Sequence, residues 1–217
     1  MTRGREVSFI TPRKGVFKTV FQFKITLLDT KPPVWRRIQV PGYYTFYDLH
    51  VAIQNAMGWT DSHLHAYEIP KKRPVRIESP YAVDEIFDDE EKIKYFTPNT
   101  FLARFFSKEK DSAIYEYDLG DGWRHEVLLE DIMLKKVGVK YPVCLDGQLA
   151  CPPEDCGGTD GYQACVDMAA GKHSFENEAD ARQLKVWLGD WRPDKFSADE
   201  VVFANPRSRF LNTMRND

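Results

Sequence analysis

"YEYDLGDGWRHEVLLE" occupies residues 115–130. Apolar or aromatic side chains alternate with charged ones on both sides of Gly120-Asp121-Gly122, the pattern of two half-buried strands joined by a turn. Turn length then sets the register. A two-residue turn at Gly120-Asp121 pairs Tyr117 with Arg124 and mixes apolar and charged side chains on each face. A three-residue loop pairs Leu119 with Trp123, Tyr117 with His125, Tyr115 with Val127 and Ala113 with Leu129, and one face becomes uniformly apolar. Register follows the hydrophobic pattern, and three-residue hairpin loops use a glycine in the left-handed region, here Gly122. The predicted hairpin points His125 inward beside Tyr117 and sets Asp118 opposite Arg124 as an ion pair on the other face.

Upstream, "VFQFKITL" (20–27) alternates cleanly, "DTKPP" (29–33) is turn chemistry, and "VWRRIQV" (34–40) is a second strand, so the two are predicted to pair as a hairpin. In "TFYDLHVAIQNAMGW" (45–59) the residues Leu49, Ala52, Ile53, Ala56 and Met57 fall on one face of a helix. Thr45 is its predicted N-cap, with Asp48 completing a capping box, and Gly58 its left-handed terminator. "SHLHAYEI" (62–69) is a third strand. Residues 70–92 read as a variable loop, 92–96 as a short strand and 97–106 as a helix with Thr97 as cap and Pro98 at its first position. Further helices are predicted at 161–171, 177–190 and 197–205. The fold class is α+β: a β-grasp-like mixed sheet, with a β-β-α-β core and a later β-hairpin, followed by C-terminal helices. The organisation is a tail at 1–15, a single domain at 16–205 and a loosely held tail at 206–217.

The chain of 217 residues is long enough to bury a core without covalent staples. Its net charge of −3 argues against a dedicated nucleic-acid binder. The basic clusters Lys71-Lys72-Arg73 and Arg3/Arg5/Arg13/Lys14 read as a solvated loop and tail, and the acidic run at 84–92 as a solvated loop or helix face. "MTRGREVSFITPRKG" (1–15) has no apolar signal region, and no run of 18 apolar residues is present. The expectation is a cytoplasmic protein away from the membrane, with its cysteines as thiols or metal ligands rather than disulfides.

The motifs "PPVWRRIQVP", "TFYDLHVAIQNAMGW", "HLHAYEI", "YEYDLGDGWRHEVLLE" and "CPPEDCGGTDGY" occur in this order. Together they resemble the plasmid pRiA4b ORF-3-like family, which contains the MM3350-like fold, from about residue 18 to about residue 205. The resemblance implies an α+β domain of bacteria or archaea, often linked to plasmids and mobile elements, with no established biochemical activity. Some members carry a transposon-resolvase label. This sequence does not fit that label: Ser8 precedes the first strand with only Arg3, Arg5 and Arg13 near it, and no basic helix-turn-helix follows.

"CLDGQLACPPEDCGGTDG" (144–161) holds three of the four cysteines in a Gly/Pro-rich loop. The spacing C-x6-C-x4-C is not the paired pattern of a zinc ribbon, but a cysteine-dense irregular loop is the kind of segment that zinc can hold. Cys144, Cys151 and Cys156 with His125 as fourth ligand form the expected structural zinc site. The other reading is three packed thiols in a loop held by turn hydrogen bonds. Cys165 reads as core. Asp118, Asp121, Glu154, Asp155 and Asp160 are loop carboxylates able to hold a divalent ion or to bond turn backbone. Two functions follow. The first is a non-enzymatic module that presents a sheet edge or aromatic face to a protein partner. The second is a metal-dependent phosphoester hydrolase using His63, His65, Asp118, Asp121 and His125, in which His63 and His65 share one face of a strand.

Overall fold

The alternation at the start of the chain forms β1 (Thr19–Leu27), which pairs antiparallel with β2 (Trp35–Pro41). A computed structural model of the chain describes residues 17–79, 94–172 and 177–216. The tail at 1–15, with Arg3, Arg5, Arg13, Lys14 and Ser8, and the acidic run at 84–92 lie outside the described residues. The remaining strands are β3 (His65–Ile69), β4 (Val75–Glu78), β5 (Lys94–Phe96), β6 (Ser112–Tyr117), β7 (Trp123–Leu134) and β8 (Val143–Gln148). They form one eight-stranded sheet in the order β5-β4-β3-β6-β7-β1-β2-β8, antiparallel except for the β4–β5 pair. The α+β class and the mixed sheet are therefore as expected. The β-grasp-like arrangement is not established by this order, because the later hairpin sits in the middle of the sheet, between β3 and β1, rather than beside a closed β-β-α-β core.

Helix α1 (Phe46–Met57) begins and ends as its sequence requires. Thr45 accepts from the Asp48 amide, the Asp48 carboxylate accepts from the Thr45 amide, and Gly58 takes the left-handed conformation. Leu49, Ile53 and Met57 enter the main core with Phe21, Phe23, Ile25 and Leu27 of β1. The helix is buried almost all round, not only along that stripe. The cover on its far side comes from α4 (Pro206–Asn216), whose Phe210 packs on Tyr47 and Val51. The loosely held tail expected at 206–217 is thus a helix to Asn216, anchored by an aromatic side chain.

Other boundaries moved for local reasons. Residues 97–106 make two short 3-10 turns, Thr97–Asn99 and Leu102–Arg104, instead of one helix. The predicted loop at 70–92 contains β4, and Cys144 lies on β8 rather than in an irregular loop. Helices α2 (Gly158–Ala169) and α3 (Glu178–Leu188) correspond to the predicted pair, with Asn177 capping α3. At 197–205 only a 3-10 turn, Ala198–Glu200, forms. No helix among the described residues is long and apolar enough to cross a membrane.

The hairpin is the instructive difference. Tyr117 pairs with Trp123, Glu116 with Arg124 and Tyr115 with His125, so the connection is residues 118–122. The register lies two residues from the predicted one. A shift of two preserves the faces, so His125, Val127, Tyr115 and Tyr117 are buried as expected. The three-residue loop fails because Asp118 serves the turn: its Oδ1 accepts from the Gly120 and Asp121 amides at 3.0 and 3.2 Å. Leu119, which the shorter loop placed in the strand, is 51% exposed. Gly122 is left-handed as predicted, with φ of 69°, and Arg124 faces Glu116 at 3.7 Å instead of Asp118.

Ile53 is fully buried beneath the sheet. Ile53→Ala is expected to lower stability by about 2–5 kcal/mol, read as a lower urea midpoint with an unchanged slope.

Candidate functional site

Three loops meet at one end of the sheet: the segment 59–63 between α1 and β3, the hairpin tip 118–122, and residues 152–157 before α2. The last two lie within the quoted sequence motifs, and the first joins two of them, with Trp59 and His63 at its ends. Tyr117, at the end of β6, joins two of them. Its hydroxyl donates to Glu154 Oε1 at 3.0 Å and accepts from the Ser62 amide at 3.0 Å. Glu154 also accepts from the amide and hydroxyl of Thr60. Burial first, and then the Glu154 charge, push the Tyr117 phenol well above its ordinary range, so it stays a donor. Trp59 donates its indole N–H to the Pro152 carbonyl at 3.0 Å. Asp121 Oδ2 accepts from the Gly157 amide at 3.1 Å, tying the hairpin tip to the same loop.

On this end of the sheet, His63 Nε2 lies 2.9 Å from Asp155 Oδ1 and 3.6 Å from Asp118 Oδ2. His63 precedes β3 and is part-exposed, whereas Asp118 is nearly buried and Asp155 is open to solvent. The five residues expected for hydrolysis are therefore not gathered. His63, Asp118 and Asp121 share the loop face, whereas His65 and His125 point into the core. His65 and His63 do not share a strand face, because β3 starts at His65.

His65 instead stacks on His50 of α1, with ring centroids 3.5 Å apart and planes within 8°. His50 Nε2 lies 2.6 Å from Asp61 Oδ1, and its Nδ1 is 2.8 Å from the Tyr115 hydroxyl. Arg209 of α4 faces Asp61 Oδ2 at 3.5 Å. Although these side chains come close together, parallel imidazoles aim their lone pairs in two separate planes, so one ion cannot sit in both. The cluster reads as a satisfied buried network. Neither His50 nor Asp61 was among the sequence candidates. The signal available was a helix whose histidine falls off the apolar stripe.

The expected zinc set is not brought together. Among the described residues, the groups of three or more potential ligands within 4.8 Å of one another are His50–Asp61–His65 and His63–Asp118–Asp155. Cys144, Cys151, Cys156 and His125 do not form one. Cys151 lines the same cleft as Arg36, and Cys156 packs against the cluster of Cys165 while its thiol donates to the Gly158 carbonyl at 3.8 Å. His125 lies perpendicular to the Trp59 ring, with Nδ1 near the Tyr115 carbonyl at 3.4 Å and Nε2 without a hydrogen-bond partner among the described residues. All four cysteines are free thiols.

Arg36 was also missed by the sequence reading. It is 1% exposed, on the inward face of β2 with Ile38 and Val40. Nε donates to the Ala56 carbonyl at 2.8 Å, and Nη1 to the carbonyls of Trp35 and Gln148 at 2.8 and 3.0 Å. Phe196 covers the guanidinium at 3.7 Å. No carboxylate pairs with it among the described residues, and its Nη2 makes no hydrogen bond there. Beside it opens a cleft of about 350 Å³ whose walls include Trp59, Trp191 and Phe196. Strict alternation along β2 was the signal: Arg36 has the parity of the core residues.

The family model described as "Plasmid pRiA4b ORF-3-like protein" matches residues 19–200. An uncharacterized protein of Sinorhizobium fredii, y4hQ, is 35% identical over 182 residues, covering 83% of this chain and 87% of that protein. A crystal structure of a protein of unknown function, MM3350 from Methanosarcina mazei Go1, superposes with a TM-score of 0.73 at 36% identity, covering 87% of this chain and 99% of that one. The chain belongs to the plasmid pRiA4b ORF-3-like family.

The buried histidines give the fold a pH dependence. Burial holds His125 down to about 3 and His65 well below the ordinary imidazole range. Depressed folded values mean that the unfolded chain binds more protons below about pH 6.5, so their stability is complete above that pH and is lost as pH falls towards 3. His125 contributes a slope of about 1.4 kcal/mol per pH unit across that window, and His65 acts in the same direction. Asp48, pushed up to about 6 by burial, opposes them between about pH 4 and 6. Comparing His125→Leu with the wild type isolates one histidine. Urea midpoints measured from pH 7 to 4 are expected to fall less steeply for the variant.

Proposed function

We propose that this pRiA4b ORF-3-like chain is a non-enzymatic binding module that takes a carboxylate-bearing segment of a partner protein in the cleft at Arg36. The observation that carries the reading is the buried guanidinium with no carboxylate partner among the described residues. A cation withdrawn from water is costly unless its charge is answered, and here carbonyl dipoles and one aromatic face answer it only in part. The Nη2 group remains as a donor beside a cleft with aromatic walls. Planar guanidinium recognises planar carboxylate by paired N–H donors. Glu154 and Glu200 on the cleft lining favour a singly charged carboxylate over a dianionic phosphate, and Lys195 offsets part of their charge. Of the aromatic residues, Trp59, Trp123, Tyr44 and Tyr47 are core, and Trp35 and Tyr43 are half-buried.

Peptides that place Asp, Glu or a C-terminal carboxylate next to an apolar anchor are expected to bind and to change tryptophan fluorescence. Val202→Glu adds a like charge at an exposed position on the cleft lining and is expected to weaken binding several-fold without lowering the urea midpoint. Arg36→Met, a volume-conserving replacement, is expected to abolish it. If Arg36→Met folds and binds the peptides as the wild type does, or if no carboxylate peptide binds the wild type, Arg36 is only a structural clamp and the proposal is wrong.

A further inference from the structure

We infer that His63, Asp118 and Asp155 form a binding site for one divalent transition-metal cation on the loop face, apart from the cleft at Arg36. The donor set is one imidazole nitrogen and two carboxylate oxygens, all within 4.8 Å of one another. Metal–ligand bonds of ~2.0–2.1 Å at a tetrahedral centre hold neighbouring ligand atoms ~3.3 Å apart. The observed 2.9 Å from His63 Nε2 to Asp155 and 3.6 Å to Asp118 lie on either side of that spacing. A cation would take the position of the proton that His63 now directs to Asp155.

Asp118 is the independent pointer. Its side chain is 10% exposed. Oδ1 is committed to the amides of Gly120 and Asp121, while Oδ2 faces His63 Nε2 from 3.6 Å, beyond hydrogen-bond length. The second oxygen, with no hydrogen bond among the described residues, is thus aimed into the cluster and meets His63 only at ion-pair distance. The turn amides fix the orientation of the other oxygen, as partners of a ligating carboxylate do. The neighbouring carboxylates are occupied differently: Glu154 by Tyr117 and Thr60, and Asp121 by the Gly157 amide. The site therefore offers three protein ligands and leaves one or more positions to solvent. Mixed nitrogen and oxygen donors suit zinc, cobalt or manganese better than copper(I), which favours thiolates.

Protein purified without a histidine tag and stripped with chelator would be titrated with zinc by calorimetry, and with cobalt by visible absorption. One saturable site per chain is expected, with a cobalt spectrum lacking thiolate charge-transfer bands. His63→Gln and Asp155→Asn should each weaken the affinity about tenfold or more. Asp155 is exposed and its backbone is left-handed, with φ of 56°, a conformation asparagine also accepts; that variant therefore keeps the test valid should another misfold. Absence of a saturable site in the wild type overturns the inference. Binding that survives both substitutions also overturns it, and a thiolate band would then place the metal on the cysteines. Carboxylate-peptide binding by Arg36 is read separately, with metal absent.

Discussion

The Asp118 carboxylate holds the turn that positions everything at the working end of this molecule. By accepting two backbone amides with one oxygen, it draws its own residue out of β6 and lengthens the hairpin connection to five residues, Asp118–Gly122. The consequences propagate along the strands. Arg124 moves opposite Glu116, Leu119 goes out to solvent, and Asp121 reaches the Gly157 amide. A single Asx-type turn thus fixes both a sheet register and the junction of hairpin and cysteine loop.

Much of the architecture was legible because it rests on period and capping. The alternation in β1, the Thr45–Asp48 box and Gly58 each correspond to an observed feature, since local chemistry and tertiary need agree there. The hairpin shows how the remainder escaped. Counting apolar positions cannot separate two registers that differ by two residues, and the deciding term was a side-chain hydrogen bond within the turn. The tail at 206–217 escaped for another reason: one aromatic residue, Phe210, supplies its anchor, and its partners lie on a helix more than a hundred residues earlier.

The site was legible in composition but not in grouping. Sequence reasoning picked His63, Asp118, Asp121 and Asp155 as ligand types, and two of them stand with His63 around one point. It also grouped His63 with His65 on the assumption that both lie on one strand, and that failed once β3 began at His65. The cysteine loop showed the opposite error. Close spacing in sequence suggested convergence, but β8 claims Cys144, Cys151 lines the cleft at Arg36, and Cys156 packs towards the Cys165 cluster. Arg36 itself was readable from parity alone, because a charged residue on the inward side of a strand needs an explanation.

The sheet order also has a kinetic side. Thr19 pairs with Leu134 and Leu27 with His125, so the two halves of the sheet join across a seam of distant residues. Chain closure of that length is entropically costly and slow compared with forming a local hairpin. During synthesis, β1 and β2 emerge long before β7 and β8 exist, with the apolar row Phe21, Phe23, Ile25 and Leu27 already made. Helix α1 follows directly behind them, and Leu49 and Ile53 reach that row without waiting for the rest. The β1–β2–α1 unit therefore shelters its own apolar surface while it waits, which lowers the risk that a nascent edge finds another chain first.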